Sequence, residues 1–187
     1  MEEQNKFPQG QNNNRDLELV YFQIVDSWKR LCEEHSLLLD AACNEYSLLL
    51  SSKLDELETA INHKHDILLK INTLEELRAK LIDRASELFS QKSGSAAVDL
   101  TSVGGLIKAL EPFEVKDNGH HLMRFNNILI DIIEKIQRQN KKNQLFINKA
   151  LDSIQDMRFE AVGEKKYVTY DARGGTTSKA NNNANDS

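Results

Sequence analysis

Apolar residues recur every three or four positions from His121 to Glu160, a spacing that places them on one face of a helix, with the polar Asn126 as an interruption. The seam of this predicted helix comprises Leu122, Leu129, Ile133, Ile136, Asn140, Asn143, Ile147, Ala150, Ile154 and Met157. Asn140 and Asn143 divide it into two apolar halves. Because a polar pair in a packed seam lowers stability and usually fixes register or partner choice, we expect the first half to stabilise the molecule. The second half is expected to meet a partner.

Two earlier stretches show the same spacing, from about Leu17 to Leu50 and from about Lys53 to Ser90. Ser51 and Ser52 interrupt the pattern between them, and Ser52 followed by Asp55 resembles a capping box at a helix start. A short connection makes two helices antiparallel neighbours. A kink in a single uninterrupted helix is the alternative.

Both of these predicted helices carry a long apolar stripe. The stripe of the first comprises Leu17, Tyr21, Ile24, Trp28, Leu31, His35, Leu38, Ala42, Glu45 and Leu49. The stripe of the second comprises Leu54, Leu57, Ile61, Leu68, Ile71, Leu74, Leu77, Leu81 and Leu88. The predicted fold is all-α: an antiparallel long-helix hairpin, a short linking helix and a long third helix, with coiled-coil-like packing and disordered termini.

Changes in composition suggest the domain boundaries. We expect residues 1–16 to be disordered, residues 17–160 to form the helical domain, and residues 161–187 to form a flexible tail with an aromatic island from Tyr167 to Tyr170. Within the domain, residues 91–97 read as a linker. A short helix over residues 99–110 is expected to stop before Pro112.

Charge and hydropathy exclude several classes of protein. The net charge of −5 argues against a nucleic-acid binder. No apolar run approaches the roughly 20 residues of a membrane span, and the N-terminus lacks the apolar core of a signal peptide. We therefore expect a cytoplasmic protein without direct membrane insertion. On one helix, Cys32 and Cys43 would lie about 16 Å apart, too far for a disulfide.

The sequence carries no pattern of catalytic chemistry. His63 and His65 point to different faces of a helix, and no His, Cys and carboxylate set has metal-ligand spacing. Gly104-Gly105 is not followed by the Lys-Ser/Thr of a phosphate loop. We predict no enzyme, no catalytic or metal site, and no cofactor.

Two blocks of the sequence resemble the FlgN-type flagellar export chaperones, over roughly residues 33–175. The first block has spaced leucines, with Glu45, Lys64 before Leu68-Leu69, and Leu74-Glu75 followed by Arg78. The second block is more specific. Asn140-x-x-Asn143, an apolar helix to Met157, and Tyr170-Asp171-Ala172-Arg173-Gly174 resemble the family's Asn-rich third helix and Tyr-x-x-x-Gly tail. The extended N-terminus and the insert at residues 91–119 depart from the family pattern.

The resemblance implies an all-helical cytoplasmic chaperone of the flagellar type III export system. Such chaperones bind the C-terminal helical region of hook-associated proteins at the hook–filament junction, prevent premature assembly, and deliver these clients to an export gate membrane protein. The predicted client-binding residues are Asn140, Asn143, Phe146, Ile147, Ala150, Leu151, Ile154 and Met157. By position in the tail, Tyr170 would dock to the gate.

A structural class competes with this interpretation. The same seam would serve a coiled-coil adaptor that homodimerises through its third helix. The sequence leaves open a homodimer in the client-free state, and it does not specify which hook-associated protein is the client.

Overall fold

The structure, a computed structural model, describes residues 9–93, 100, 102–116, 119–162, 168–170 and 176–178. Its elements are helices α1 (Gln9–Leu50), α2 (Leu54–Ser93), α3 (Val103–Lys116) and α4 (His121–Val162), and strands β1 (Val168–Tyr170) and β2 (Thr176–Ser178). The predicted all-α class is confirmed. The chain divides into two compact units, Met1–Asn143 and Gln144–Ser187.

Helix α1 provides more of the core of the first unit than any other helix. Its predicted stripe is confirmed from Leu17 to Ala42, where every member is buried, and Glu45 and Leu49 are half-buried. His35 tolerates this burial because its Nδ1 pairs with the Leu31 carbonyl at 2.7 Å. The helix begins at Gln9, so that residues 9–16 are helical where the sequence predicted disorder. Residues 1–8 lie outside the described residues.

A three-residue turn joins α1 to α2 and settles the alternative between a turn and a kink. The Lys53 N–H donates to the Leu48 carbonyl at 3.1 Å, and the Ser52 N–H donates to the Leu49 carbonyl at 3.3 Å. These are the two hydrogen bonds of a Schellman motif. Ser52 occupies its left-handed position with a φ of 55°. The predicted capping box is therefore wrong: Ser52 ends α1 and does not cap α2.

Helix α2 joins the core only beyond residue 66. Its first buried residue is Ile67, and burial continues through Ile71 and Leu74 to Leu88. Of the earlier members of its predicted stripe, Leu54 and Ile61 are exposed and Leu57 is half-buried. The prediction that Leu54 and Ile61 belong to a packed seam is therefore wrong.

Helix α3 continues through Pro112 to Lys116, although the sequence predicted a stop before that proline. A proline inside a helix costs roughly 3 kcal/mol. Contacts on either side of α3's last turn offset this cost. Phe113 stacks on Tyr21 with the ring centroids 5.7 Å apart. The buried Glu114 Oε1 accepts hydrogen bonds from the Tyr21 hydroxyl at 3.1 Å and from the Leu122 N–H at 3.0 Å.

A turn at Gly119 precedes α4. A Cβ at this position would overlap the imidazole of His121, so a larger residue would require that side chain to move. After this turn, the first part of α4, residues 121–143, packs against α1. Cys32 Sγ donates to the Phe125 carbonyl at 3.3 Å, and Asn143 contacts Ala42 further along both helices. Residue numbers increase in both helices from the first contact to the second. The first part of α4 therefore runs in the same direction as α1.

The second unit contains the second part of α4, residues 144–162, and a small hairpin. Strands β1 and β2 pair antiparallel, with Val168 opposite Ser178 and Tyr170 opposite Thr176. The sequence analysis did not predict this pairing. Residues 163–167, 171–175 and 179–187 of the predicted flexible tail lie outside the described residues.

Candidate functional site

The first part of α4 is a core helix. Leu122, Leu129, Ile132 and Ile136 are all buried in the first unit. Ile132 takes the buried position that the sequence gave to Ile133, which is half-buried. This part of α4 therefore fulfils the stabilising role predicted for the first half of the seam.

Asn143 ends this buried part and is only 3% exposed. Its Nδ2 donates to the Ala42 carbonyl at 3.0 Å, and its Oδ1 accepts from Gln139 Nε2 at 2.9 Å. In the free chain its amide therefore serves an internal contact. A buried amide paired with one particular carbonyl fixes the register of the two helices, since a shift would leave the buried amide without its acceptor.

Asn140 lies one turn earlier and is exposed. Its Oδ1 accepts from Lys64 Nζ at 3.3 Å, and Lys64 also forms an ion pair with Glu45 at 2.6 Å. The two asparagines thus have different surroundings, although the sequence gave them one role. Asn140 belongs to a polar cluster at the surface, whereas Asn143 closes the core.

The second part of α4 exposes an apolar surface, which we call the α4 face. It comprises the apolar residues that the sequence predicted to bind a client: Phe146, Ile147, Ala150, Leu151, Ile154 and Met157. Phe146 and Ile147 are half-buried, and the other four are exposed, with Met157 at 60%. At 3.6 residues per turn these six positions cover an arc of about 140°, wide enough to receive one partner helix.

Two exposed apolar residues of this part of α4 were missed by the sequence analysis. Leu145 and Phe159 lie on the opposite side of the helix from Ile147 and Ile154. Neither residue fits the spacing of three and four residues that defines the seam, and only their exposure in the structure identifies them. The same geometry places Arg158 beside Ile154 on the α4 face, so that an approaching surface meets one positive charge.

Tyr170, the predicted gate-docking residue, is the last residue of β1. Its Cα pairs with that of Thr176 in β2. The rest of the Tyr-x-x-x-Gly motif, residues 171–174, lies outside the described residues. The pairing holds the backbone of Tyr170 at the turn end of the hairpin.

The charged residues of the first sequence block are paired within the first unit. Glu45 and Lys64 form the ion pair described above, and Arg78 pairs with Glu75 while its guanidinium lies 5.3 Å from the centroid of the Trp28 ring. These positions connect α1 to α2. Their role in the structure is to hold the hairpin together.

Neither a metal cluster nor a membrane-spanning helix occurs in the part of the chain that the structure describes. Within the described ranges there is no group of three or more His, Cys, Asp or Glu side chains placed to hold a metal ion. Over the same ranges, no helix has the length and apolar character to cross a membrane.

The fold and the site define a class: a long-helical protein with an exposed apolar helix face. A family model, that of the FlgN protein, matches residues 20–178. The chain belongs to the FlgN family of flagellar export chaperones, a family of chaperones rather than enzymes. Comparisons with curated proteins and with solved structures gave no match.

Proposed function

We propose that this chaperone acts in the cytoplasm and binds the C-terminal helical region of hook-associated proteins through the α4 face. Binding would cover the client's self-assembling helix, prevent premature assembly, and keep the client ready for delivery to the export gate. The observation that carries this proposal is the exposed apolar surface from Ala150 to Met157 in the second part of α4. It fits the helix-in-groove mode of recognition, in which anchors lie three and four residues apart.

The chemistry of the α4 face suits more than one client. Ile147, Ile154 and Leu151 offer branched aliphatic anchors, and Met157 adds an adaptable thioether. Asn140 is exposed, and we expect its amide to bond the backbone of a client. Asn143 contributes by fixing where the core stops.

The first experiment is a binding titration with the C-terminal helices of candidate hook-associated proteins. Changing both Ile147 and Ile154 to Asp places two charges on the α4 face and is expected to weaken binding roughly 100-fold or more. The matched control changes Leu145 and Phe159 to Asp, because both are exposed apolar residues of the same helix on its opposite side. The proposal fails if both double variants bind equally well, or if the control alone loses binding.

The same titration tests the competing class. A coiled-coil adaptor would form a stable homodimer through α4 whose mass is unchanged by a hook-associated segment. An export chaperone is expected to form a complex with that segment. A mass that stays the same at saturating segment would favour the adaptor.

Delivery requires a second surface, for which we propose Tyr170. Tyr170→Ala is expected to preserve client binding and to weaken association with the cytoplasmic domain of the export gate protein. Tyr167→Ala is the control, because it removes the other tyrosine of the same segment. Loss of client binding in Tyr170→Ala would instead assign the hairpin to the client site.

A further inference from the structure

One charged residue lies within the apolar α4 face. By helix geometry, Arg158 falls between Ile154 and Leu151 around the axis of α4. Ala161, which is exposed, lies within the same arc and almost one turn beyond Arg158. The apolar face therefore continues past the charge, so that a helix lying along the face would pass Arg158 and would not end there.

The other charged residues of the second part of α4 lie on other sides of the helix. All of them are exposed, and each lies more than about 100° from the middle of the α4 face: Lys149, Asp152, Asp156 and Glu160. A partner helix on the face would leave these four side chains in water. Arg158 is thus the one charge of residues 144–162 that such a partner would meet directly.

The edge of the α4 face beside Leu151 carries neutral amides. Gln144, Asn148 and Gln155 lie along it, and Gln144 Nε2 donates to Asn148 Oδ1 at 3.1 Å. In coiled coils the flanking positions are often Glu and Lys, whose ion pairs between helices choose the partner and its orientation. Since this edge has no charge, an electrostatic choice of partner depends on Arg158.

Arg158 has no carboxylate partner within α4, which the structure describes along its whole length. Residues three and four positions apart are neighbours on a helix surface. Around Arg158 these neighbours are Ile154, Gln155, Ala161 and Val162. Arg138, by contrast, pairs with Glu134 four residues earlier in the same helix, at 3.9 Å. The guanidinium of Arg158 is therefore left to be paired by another chain.

A client helix that covers the α4 face also removes water from around Arg158. Side chains on a helix lean towards its N-terminus, so the arginine stem reaches back over Ile154. A guanidinium that loses water without gaining a partner opposes binding, whereas a carboxylate can accept two hydrogen bonds from it. A client with a carboxylate at this point is therefore favoured over a client with an apolar residue there.

We propose that the client helix carries an Asp or Glu side chain opposite Arg158, and that this ion pair sets the register of the client on the α4 face. This inference rests on the proposed function and names the chemistry of its client. A side chain fits better than the client's C-terminal carboxylate, because the face continues to Ala161. Arg158 lies about 16 Å beyond Ile147, near one end of the face. A client displaced by one turn would leave both charges unpaired.

A double-mutant cycle tests the ion pair, with the hook-associated segment that binds most tightly in the titration described above. Each Asp and Glu of that segment is changed singly to Asn or Gln, and each variant is titrated against the wild-type chain and against Arg158→Met. Methionine keeps an unbranched side chain and a helix propensity close to that of arginine. One segment variant is expected to bind the wild-type chain about tenfold more weakly. The same variant is expected to bind Arg158→Met as tightly as the unchanged segment does.

Lys149→Met is the matched control. It removes the same charge from an exposed residue on the opposite side of α4 from Arg158, and it is expected to change the Kd by less than about twofold. Arg158→Glu is expected to weaken binding more than Arg158→Met does, because it places two carboxylates opposite each other. Lys at the acidic position of the segment is expected to restore binding to Arg158→Glu. Circular dichroism checks that each variant keeps its helix content.

Three results would overturn the ion pair. The first is an Arg158→Met chain that binds the segment as tightly as the wild type or more tightly, since the guanidinium would then reach water past the edge of the face. The second is an equal loss of binding in Arg158→Met and Lys149→Met. The third is a loss on amidation of the segment's C-terminus with no effect of any side-chain change, which would assign Arg158 to the terminal carboxylate.

The variant with Asp at both Ile147 and Ile154 separates this inference from the proposed function. If that double variant loses the segment while any of the three results above is found, the ion pair is wrong and the α4 face remains the client site. If the double variant binds normally, or if the wild-type chain binds no segment, both proposals fail.

Discussion

The two parts of α4 share one helix and one apolar spacing but differ in burial. In residues 121–143 the seam lies in the core with Leu129 and Ile136, whereas in residues 144–162 the same spacing leaves Ile154 and Met157 exposed. The change falls at Asn143, whose amide pairs with the Ala42 carbonyl. Amphipathic spacing therefore determines that a helix has an apolar face, but not what covers it.

Helix α2 also has an exposed part and a buried part, but in α2 the exposed part comes first. Its first part, residues 54–66, leaves Leu54 and Ile61 exposed, and the rest of the helix buries Ile67 and Leu88. A chaperone needs both kinds of helix face. Buried faces supply the stability that exposed faces do not, because area that stays in contact with water contributes little to the free energy of folding.

Truncation of one apolar residue in each part of α4 tests the difference in burial most directly. Leu129→Ala is expected to lower the free energy of unfolding by about 2–5 kcal/mol, because it leaves a cavity in the core. Ile154→Ala is expected to change it by less than about 0.5 kcal/mol. Urea unfolding followed by circular dichroism measures both values. Similar losses would mean that the second part of α4 is also packed in solution.

Thiol alkylation compares the core contact of α4 with an open surface. Cys32 is buried, bonds to the Phe125 carbonyl, and has its pKa raised by burial and by the neighbouring Glu33, whereas Cys43 is exposed. Cys32 is therefore expected to react with iodoacetamide at pH 8 roughly 100-fold more slowly than Cys43. The raised pKa keeps Cys32 protonated to higher pH, so that its reactivity rises only at a higher pH than that of an unperturbed thiol. Single Cys→Ser variants identify each rate, and equal rates would contradict the packing of α4 on α1.

Asn140 and Asn143 differ in burial although they lie one turn apart, where the buried part of α4 ends. Asn143→Ala is expected to cost about 1–3 kcal/mol of unfolding free energy, because it removes a buried amide that bonds to the Ala42 carbonyl and to Gln139. Asn140→Ala is expected to cost less than about 0.5 kcal/mol, since its one bond to Lys64 is exposed. Thermal and urea unfolding provide the measurement. The assignment of Asn143 to the core would fail if the two costs were the same.

The smallest expected effect concerns the turn that supports the buried part. Ser52→Gly is expected to raise the free energy of unfolding by about 0.5–1 kcal/mol, because glycine adopts the left-handed conformation without a Cβ penalty. Amide exchange should then slow in residues 121–143 and stay unchanged in residues 144–162. Ser51→Gly is the control and is expected to destabilise, since it removes a hydroxyl bonded to the Ser47 carbonyl. A stabilised Ser51→Gly would contradict this account of the turn.

Much of the fold could be predicted because its main signal is local. The spacing of Leu17, Trp28 and Leu38 identified the buried side of α1, and the predicted bounds of α4 differ from the observed ones by two residues at most. Of the candidate site, the sequence predicted the exposed positions from Ala150 to Met157. Their role in binding a client stays a prediction.

The features that the sequence did not predict depend mainly on contacts between residues far apart in the chain. The continuation of α3 through Pro112 depends on Tyr21, which is 93 residues from Glu114. The predicted stripe of α2 has the spacing of a buried seam, and only the geometry of the hairpin shows that its members Leu54 and Ile61 lie outside the core. Ser52 was read as a cap because its hydroxyl suits that role, whereas its backbone dihedral determines the actual one.

The turn at Ser51–Lys53 limits how this hairpin can open. Only three residues separate Leu50 from Leu54, so these two helix ends stay close together as long as both helices remain folded. A molecule that had to widen the gap between α1 and α2 could therefore enter only from the opposite end, near Ser93. The short connection therefore allows α1 and α2 to separate at the end near Ser93 but not at the end formed by Ser51–Lys53.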